Sequence, residues 1–327
     1  MGLAWGVLIA GMVQLFFQLP FLLKMGLLPR PRLDYRHEGV KRIFRLMLPA
    51  LFGVSVSQIN LLLDTILASF LKTGSVSWLY YSDRLAELPL GIFGIAIATV
   101  ILPTLSRKHA SKSEQEFSDT LDWALRIIIL MGLPAAIALI LLAEPLVTSL
   151  FYYGELTQHD VFMSAQSLRA YALGLLAFML IKVLAPGYFS RQDMKTPVKI
   201  GIWAMCANMV FNLILIWPLQ HTGLALATAI SSWMNALWLL KGLVNQNVYR
   251  RSKGWGLFVL RITLANMVMV TLIYWLQVPT EKWFEMDVWS RVSSLSELVV
   301  FGVSVYFVVL IMSGLNLKHM LGSVTKH

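Results

Sequence analysis

Charge is scarce in this sequence. Of 327 residues, 13% are Asp, Glu, Lys or Arg and 57% are hydrophobic. A soluble domain carries about 25% charged residues. A water-soluble globular fold is therefore excluded, and a mean hydropathy of +0.69 puts the chain in a lipid bilayer. Cysteine is nearly absent. Cys206 alone excludes an internal disulfide and any metal site built on several thiolates. The six histidines, His37, His109, His159, His221, His319 and His327, form no paired ligand motif. No Walker loop, HExxH or GxSxG occurs, so no nucleotide, zinc-protease or serine-hydrolase signature is present. The start lacks a basic n-region and a small-residue cleavage site, which argues against a signal peptide. Gly6 stands where a myristoylation motif needs Ser or Thr.

What is present is a series of apolar runs. Crossing a ~30 Å hydrocarbon core takes ~20 residues of helix. The sequence predicts nine such spans: Leu3–Leu23, Leu46–Leu71, Trp78–Leu105, Ile127–Phe151, Tyr171–Tyr188, Ile200–Leu219, Gly223–Leu243, Leu257–Leu276 and Leu298–Leu315. The net charge of +10 is a loop property, not a nucleic-acid footprint. Lys24, Arg30, Arg32, Arg36, Lys41, Arg42 and Arg45 follow the first span. Arg107, Lys108 and Lys112 follow the third, Arg191, Lys195 and Lys199 the fifth, and Lys241, Arg250, Arg251 and Lys253 the seventh. The alternate loops hold only Lys72, Lys282 and Arg291. Positive charge stays on the cytoplasmic side, so the N-terminus is expected outside and the C-terminus inside.

The third span carries the most informative polar group. In YYSDRLAELPLGIFGIAIATVILP, Asp83, Arg84 and Glu87 precede sixteen uncharged residues. Asp83 and Glu87 share a helix face, and Arg84 reaches Glu87 three residues on. Charges at that depth are costly unless they face a partner or water. The cluster is a candidate cavity wall; the plainer reading is a salt bridge that orients the helix. Gly91, Gly94 and Ala98 follow at a spacing that lets a neighbouring helix approach closely.

A second polar group is spread over three spans. Ser57, Asn60 and Asp64 fall on one face of the second, Asn208 and Asn212 on one face of the sixth, and Thr228 lies on the seventh. A carboxylate among amide and hydroxyl oxygens suits a hard cation such as sodium. The alternative is interhelical hydrogen bonding. Arg126, Arg169, Lys182 and Arg261 read as snorkelling to an interface. Pro49, Pro89, Pro103, Pro134, Pro145 and Pro186 read as helix breaks. VPTEKWFEMDVWSR, with Trp283, Phe284 and Trp289, reads as an interfacial loop with aromatic anchors.

The opening GLAWGVLIAGMVQLFFQLP, then SDRLAELPLGIFGIAIATVILPTLSR, then Ala185–Gly201 (APGYFSRQDMKTPVKIG) occur in this order. Together they resemble the MurJ/MviN family of lipid II flippases, in the MOP exporter superfamily. The resemblance implies helices six to fourteen of a fourteen-helix, all-α integral membrane fold of two lobes plus two extra helices. Residues 1–23 would be the last helix of the N-terminal lobe, 24–45 a basic cytoplasmic linker, 46–243 the C-terminal six-helix lobe, and 244–327 the extra hairpin and tail. It implies transport of undecaprenyl-pyrophosphate-linked precursor across the inner membrane, driven by an ion gradient or the membrane potential, with no enzymatic step. It assigns pyrophosphate contact to Arg84, with Asp83 and Glu87 beside it. It assigns a possible Na+ site to Asp64, Asn208, Asn212 and Thr228, with Asn212 standing where the pattern carries a second acid. The terminal helix pair would form a lipid-tail groove. The implied partners are lipid II, membrane lipids and the absent N-terminal lobe, and the chain alone is expected not to transport. Two other classes compete. An integral membrane enzyme on polyprenyl-linked glycans needs a sizeable catalytic loop, and Leu276–Leu298 offers no catalytic constellation. A drug/sodium antiporter of the same superfamily needs a less basic cavity.

Overall fold

The computed structural model describes residues 2–26 and 38–315. Arg30, Arg32, Arg36, Lys318 and Lys326, and the side chains of Arg42, Arg45 and Ser57, lie outside the described set. Among the described residues every regular element is a helix. In chain order these are α1 Gly2–Lys24, α2 Glu38–Ser69, α3 Ser75–Pro89, a π-helical stretch Leu90–Ile95, α4 Ala96–Ala110, α5 Glu114–Leu141 and α6 Ala143–Phe151. They continue as α7 Gln158–Phe189, α8 Lys195–Asn245, α9 Trp255–Leu276, α10 Thr280–Glu285 and α11 Val288–Met312. Seven helical segments among the described residues are long and apolar enough to cross a membrane. One of them, α8, has 51 residues and is broken at Gln220, where φ is 51° and ψ is −131°. The chain divides into two compact units, Met1–Leu48 and Pro49–His327.

In the second unit α7 is the hub, packed by α8, α5 and α3. Its sequence explains this. Ala165, Ala172, Gly174 and Ala177 bring small surfaces to the contacts. A Cβ added at Gly174 would lie 2.7 Å from the Ala229 Cα, so α7 and the second half of α8 touch nearly backbone to backbone. The start of α7 is held by a reciprocal capping box, in which Thr157 Oγ1 accepts from Asp160 N and Asp160 Oδ2 accepts from Thr157 N. Trp78 Nε1 donates to the other Asp160 oxygen at 2.7 Å, so α3 docks on that cap.

The expected prolines mostly do not break helices. α4, α5 and α7 run through Pro103, Pro134 and Pro186. A proline forfeits one backbone hydrogen bond, and packed neighbours hold the rest of the helix. The breaks occur instead at Leu142, between α5 and α6, and at Gln220. On the third span Gly94 meets another helix, with Met179 Cγ 3.6 Å from its Cβ position, whereas Gly91 has nothing within 4 Å. The fourth and fifth spans also begin earlier than their apolar runs, at Glu114 and Gln158, because polar first turns continue the helix beyond the hydrophobic stretch.

The terminal pair is packed onto the preceding helices. Phe258, Ile262, Met269 and Tyr306 share a buried cluster with Ile127, Leu130 and Leu142 of α5 and its end. The Tyr306 hydroxyl donates to Leu130 O at 2.7 Å. The segment expected to be an interfacial anchor divides in two. Trp289 is exposed, but Trp283 is fully buried and its segment is helical. Arg291 holds it there by donating to Trp283 O, Phe284 O and Tyr152 O at 2.9, 3.1 and 3.1 Å. A buried guanidinium has five donors to satisfy, and three carbonyls supply a fitting cage.

Candidate functional site

The structure brings Asp64, Asn208, Asn212 and Thr228 together. α2 presents Asp64 to the two halves of α8. Asn212 Nδ2 donates to Asp64 Oδ1 at 2.6 Å, and Thr228 Oγ1 donates to Asp64 Oδ2 at 3.3 Å. Asn212 Nδ2 also reaches Asn208 Oδ1 at 2.9 Å. Asn208 Nδ2 reaches Thr228 Oγ1 at 3.2 Å and Ser231 Oγ at 3.4 Å. Asn60 Nδ2 lies at 3.5 Å from Asp64 Oδ2. Asn208 and Asn212 are fully buried. Their spacing of four places both on the buried stripe of α8, and the break at Gln220 folds Thr228 and Ser231 back against them.

As they stand, these are interhelical hydrogen bonds. The same atoms are also a hard-oxygen donor set: two carboxylate oxygens, two amide oxygens and a hydroxyl. Buried Asn212 Oδ1 has no hydrogen-bond partner, and an unpaired buried acceptor is costly. The donor types therefore fit an alkali cation, with the Asn212 amide turning its oxygen inward. Ser231 was not anticipated from the sequence. Its signal was the i, i+3 spacing from Thr228 on one helix face.

Arg84 is confirmed in its local pairing. Its guanidinium lies 2.8 Å from Glu87 and 3.5 Å from Asp83, and 5.2 Å over the Tyr80 ring. The side chain is 48% exposed, so the group is presented outward instead of being spent on packing. The π-helical stretch begins three residues after Glu87, immediately past Pro89. Such stretches widen a helix locally and recur at functional sites. The triad and the Asp64 cluster have no hydrogen bond or ion pair between them among the described residues, though both Asp83 and Asp64 lie within electrostatic range of buried Tyr171 on α7.

Three further arginines are fixed by partners where the sequence suggested snorkelling. Arg126 Nε donates to Asp122 at 2.9 Å, and Nη2 donates to Ser252 Oγ at 2.7 Å. Arg169 pairs with Glu144 at 2.8 Å. Arg261 donates to Gly314 O at 3.2 Å. Asp122, 4% exposed, was not singled out from the sequence. It also accepts from Tyr249 Oη, Ser252 Oγ and Trp255 Nε1 at 2.8, 2.5 and 2.7 Å, which clamps the α8–α9 connection to α5. Burial first, and the bond to Asp122 second, raise the pKa of the Tyr249 hydroxyl above the ordinary tyrosine value. The i, i+4 spacing to Arg126 is the one local signal of Asp122; Tyr249, Ser252 and Trp255 lie 127, 130 and 133 residues away.

A family model described as "Lipid II flippase MurJ" matches residues 1–293. A protein of Vibrio cholerae named "Probable lipid II flippase MurJ" is 50% identical over 317 residues, covering 97% of this chain and 60% of that protein. A Haemophilus influenzae protein of the same name is 50% identical over 327 residues, covering 98% and 64%. The chain thus spans about three fifths of the length of these curated relatives. The solved structure "Lipid II flippase MurJ, inward closed conformation" aligns with a TM-score of 0.69 at 24% identity, over 86% of this chain and 55% of that one. An outward-facing MATE-family multidrug transporter of the MOP superfamily aligns with a TM-score of 0.55 at 17% identity, over 83% and 64%. Both structural likenesses concern the fold.

Proposed function

The chain belongs to the lipid II flippase MurJ family, and from that premise we propose that it is the C-terminal portion of an inner-membrane transporter of lipid II. The 50% identity across nearly the whole chain carries this reading. The chain supplies nine crossings, with α8 counted twice at its Gln220 break and α2 included. Residues 46–243 form a lobe, residues 244–327 an added hairpin and tail, and residues 1–23 complete a partner lobe joined through a basic linker at 24–45. Positive charge places the linker and the C-terminus in the cytoplasm and the N-terminus outside.

Arg84 takes the pyrophosphate of the polyprenyl-linked disaccharide-pentapeptide. Its planar fork suits a phosphate oxygen pair. Asp83 and Glu87 orient it and offset its charge when no substrate is bound. Asp64, Asn208, Asn212 and Thr228 hold a sodium ion, whose binding couples lobe movement to the gradient. One charge moved through 100 mV supplies about 2.3 kcal/mol. α9 and α11 form a groove for the lipid tail. Alternating access needs two bundles moving about a shared midplane site, so this portion works with an N-terminal lobe.

The test is complementation in cells depleted of their own flippase. Residues 1–327 alone are expected not to restore growth. Co-expression with a separate chain carrying the relatives' N-terminal part is expected to restore it. Failure of the pair, with both chains inserted in the membrane, overturns the reading.

A further inference from the structure

A cavity of about 800 Å³ lies between α2, α7 and both halves of α8, and Lys182 is on its wall. Phe178, Lys182, Ala185 and Phe189 all line it, a stripe at i, i+4, i+7 and i+11 on α7. A helix presents such a stripe on one face, so Lys182 emerges in the middle of the cavity-facing side. Among the described residues Lys182 has no carboxylate partner in any ion pair. At one end the cavity is lined by Asn60, Asn208 and Thr228, which belong to the Asp64 cluster. At the other it reaches Met194 and Pro197, at the connection carrying Arg191, Lys195 and Lys199.

Two cavity residues, Asn60 and Asn235, have buried amide oxygens without a hydrogen-bond partner. Apolar packing would leave those acceptors at full desolvation cost. The lining is mostly apolar but includes Gln58, Asn60, Asn208, Ser232 and Asn235, and a space of this volume with such groups takes water, which occupies about 30 Å³ per molecule. Water in turn explains how an ammonium is tolerated at that depth of a membrane helix.

We propose that this cavity is the aqueous path by which a monovalent cation reaches Asp64 from the face bearing Arg191, Lys195 and Lys199, and that Lys182 sets the electrostatic potential along it. The cation destination rests on the sodium reading above; the path and its selectivity do not. With the site empty, the ammonium balances the Asp64 carboxylate across the cavity. With a cation bound, it repels the ion and keeps it releasable. Anions are favoured at the Lys182 end, and cations pass only because the carboxylate lies beyond.

The test uses the full-length protein in membrane vesicles of both orientations, with Cys206→Ser as background and Asn235→Cys as reporter. Ser232→Cys, on the same wall, serves as a second reporter should the first not fold. Each is exposed to an anionic and to a cationic water-soluble methanethiosulfonate reagent. Labelling is expected from the cytoplasmic side only, with the anionic reagent reacting roughly fivefold faster than the cationic one. Lys182→Met is expected to abolish that preference and Lys182→Arg to keep it. Sodium is expected to slow labelling, and Asp64→Asn to remove that protection. Folded reporters that label from neither side overturn the path. Labelling with the same charge preference in Lys182→Met overturns the role of Lys182. Intact labelling and preference without sodium protection uphold path and selectivity while overturning the sodium reading.

Discussion

Asp64 and Asn212 are 148 residues apart in the chain and 2.6 Å apart in the structure, with the Asn212 amide donating to the carboxylate. That contact joins α2 to the first half of α8. Thr228 joins the second half to the same carboxylate. One side chain thus reads the relative position of three helical segments, and a change at Asp64 is felt in all of them.

Asp64→Asn is expected to abolish sodium-dependent stabilisation of the purified full-length protein. At a ligand concentration of 100 times Kd, bound sodium stabilises by about 2.7 kcal/mol. A thermal melt with and without sodium, at constant ionic strength, measures the difference. An unchanged sodium shift in Asp64→Asn would show that the carboxylate serves packing alone.

Arg84→Ala, in the complete protein, is expected to eliminate growth in a complementation assay while leaving the amount of membrane-inserted protein unchanged. Its ion pairs are half exposed, so they hold little of the fold. Arg84→Lys is expected to rescue partially, because the point charge remains and the bidentate fork is lost. Full growth with Arg84→Ala removes Arg84 from substrate contact.

Asp122→Ala is expected to destabilise by about 3 kcal/mol. It strips a mostly buried Arg126 of its carboxylate and leaves Tyr249 and Trp255 without their acceptor. Hydrogen exchange should rise first in the α8–α9 connection, residues 246–254. Protection unchanged there would mean that the connection is held by apolar packing.

Gly174→Ala is expected to destabilise by about 1–3 kcal/mol, since its new methyl meets Ala229 at 2.7–2.8 Å. Gly91→Ala in the same chain meets nothing within 4 Å and is expected to be neutral or slightly stabilising. Denaturation midpoints of the two variants in detergent compare them directly. Equal midpoints would show that α7 and α8 can part by the width of a methyl group without cost.

The sequence alone determined the medium and the all-helical class, and the charge rule gave an expected side for each loop. These follow from composition and from local spacing. A bilayer excludes unpaired backbone, so apolar runs of the right length become helices whatever surrounds them. The Arg84–Glu87 pair was legible for the same reason, since residues three apart on a helix are always neighbours. The oxygen types of the Asp64 cluster were legible too, but not their meeting. That depended on the reversal at Gln220 and on how closely Gly174 lets α7 approach Ala229. Tertiary packing alone also decided that Trp283 is core instead of anchor, that Asp122 clamps a distant connection, and that Lys182 lines a cavity shared with Asn60 and Asn208. In each case the partners come from elements far apart in the chain. A one-dimensional pattern records what each helix offers, and only packing decides which offer is met.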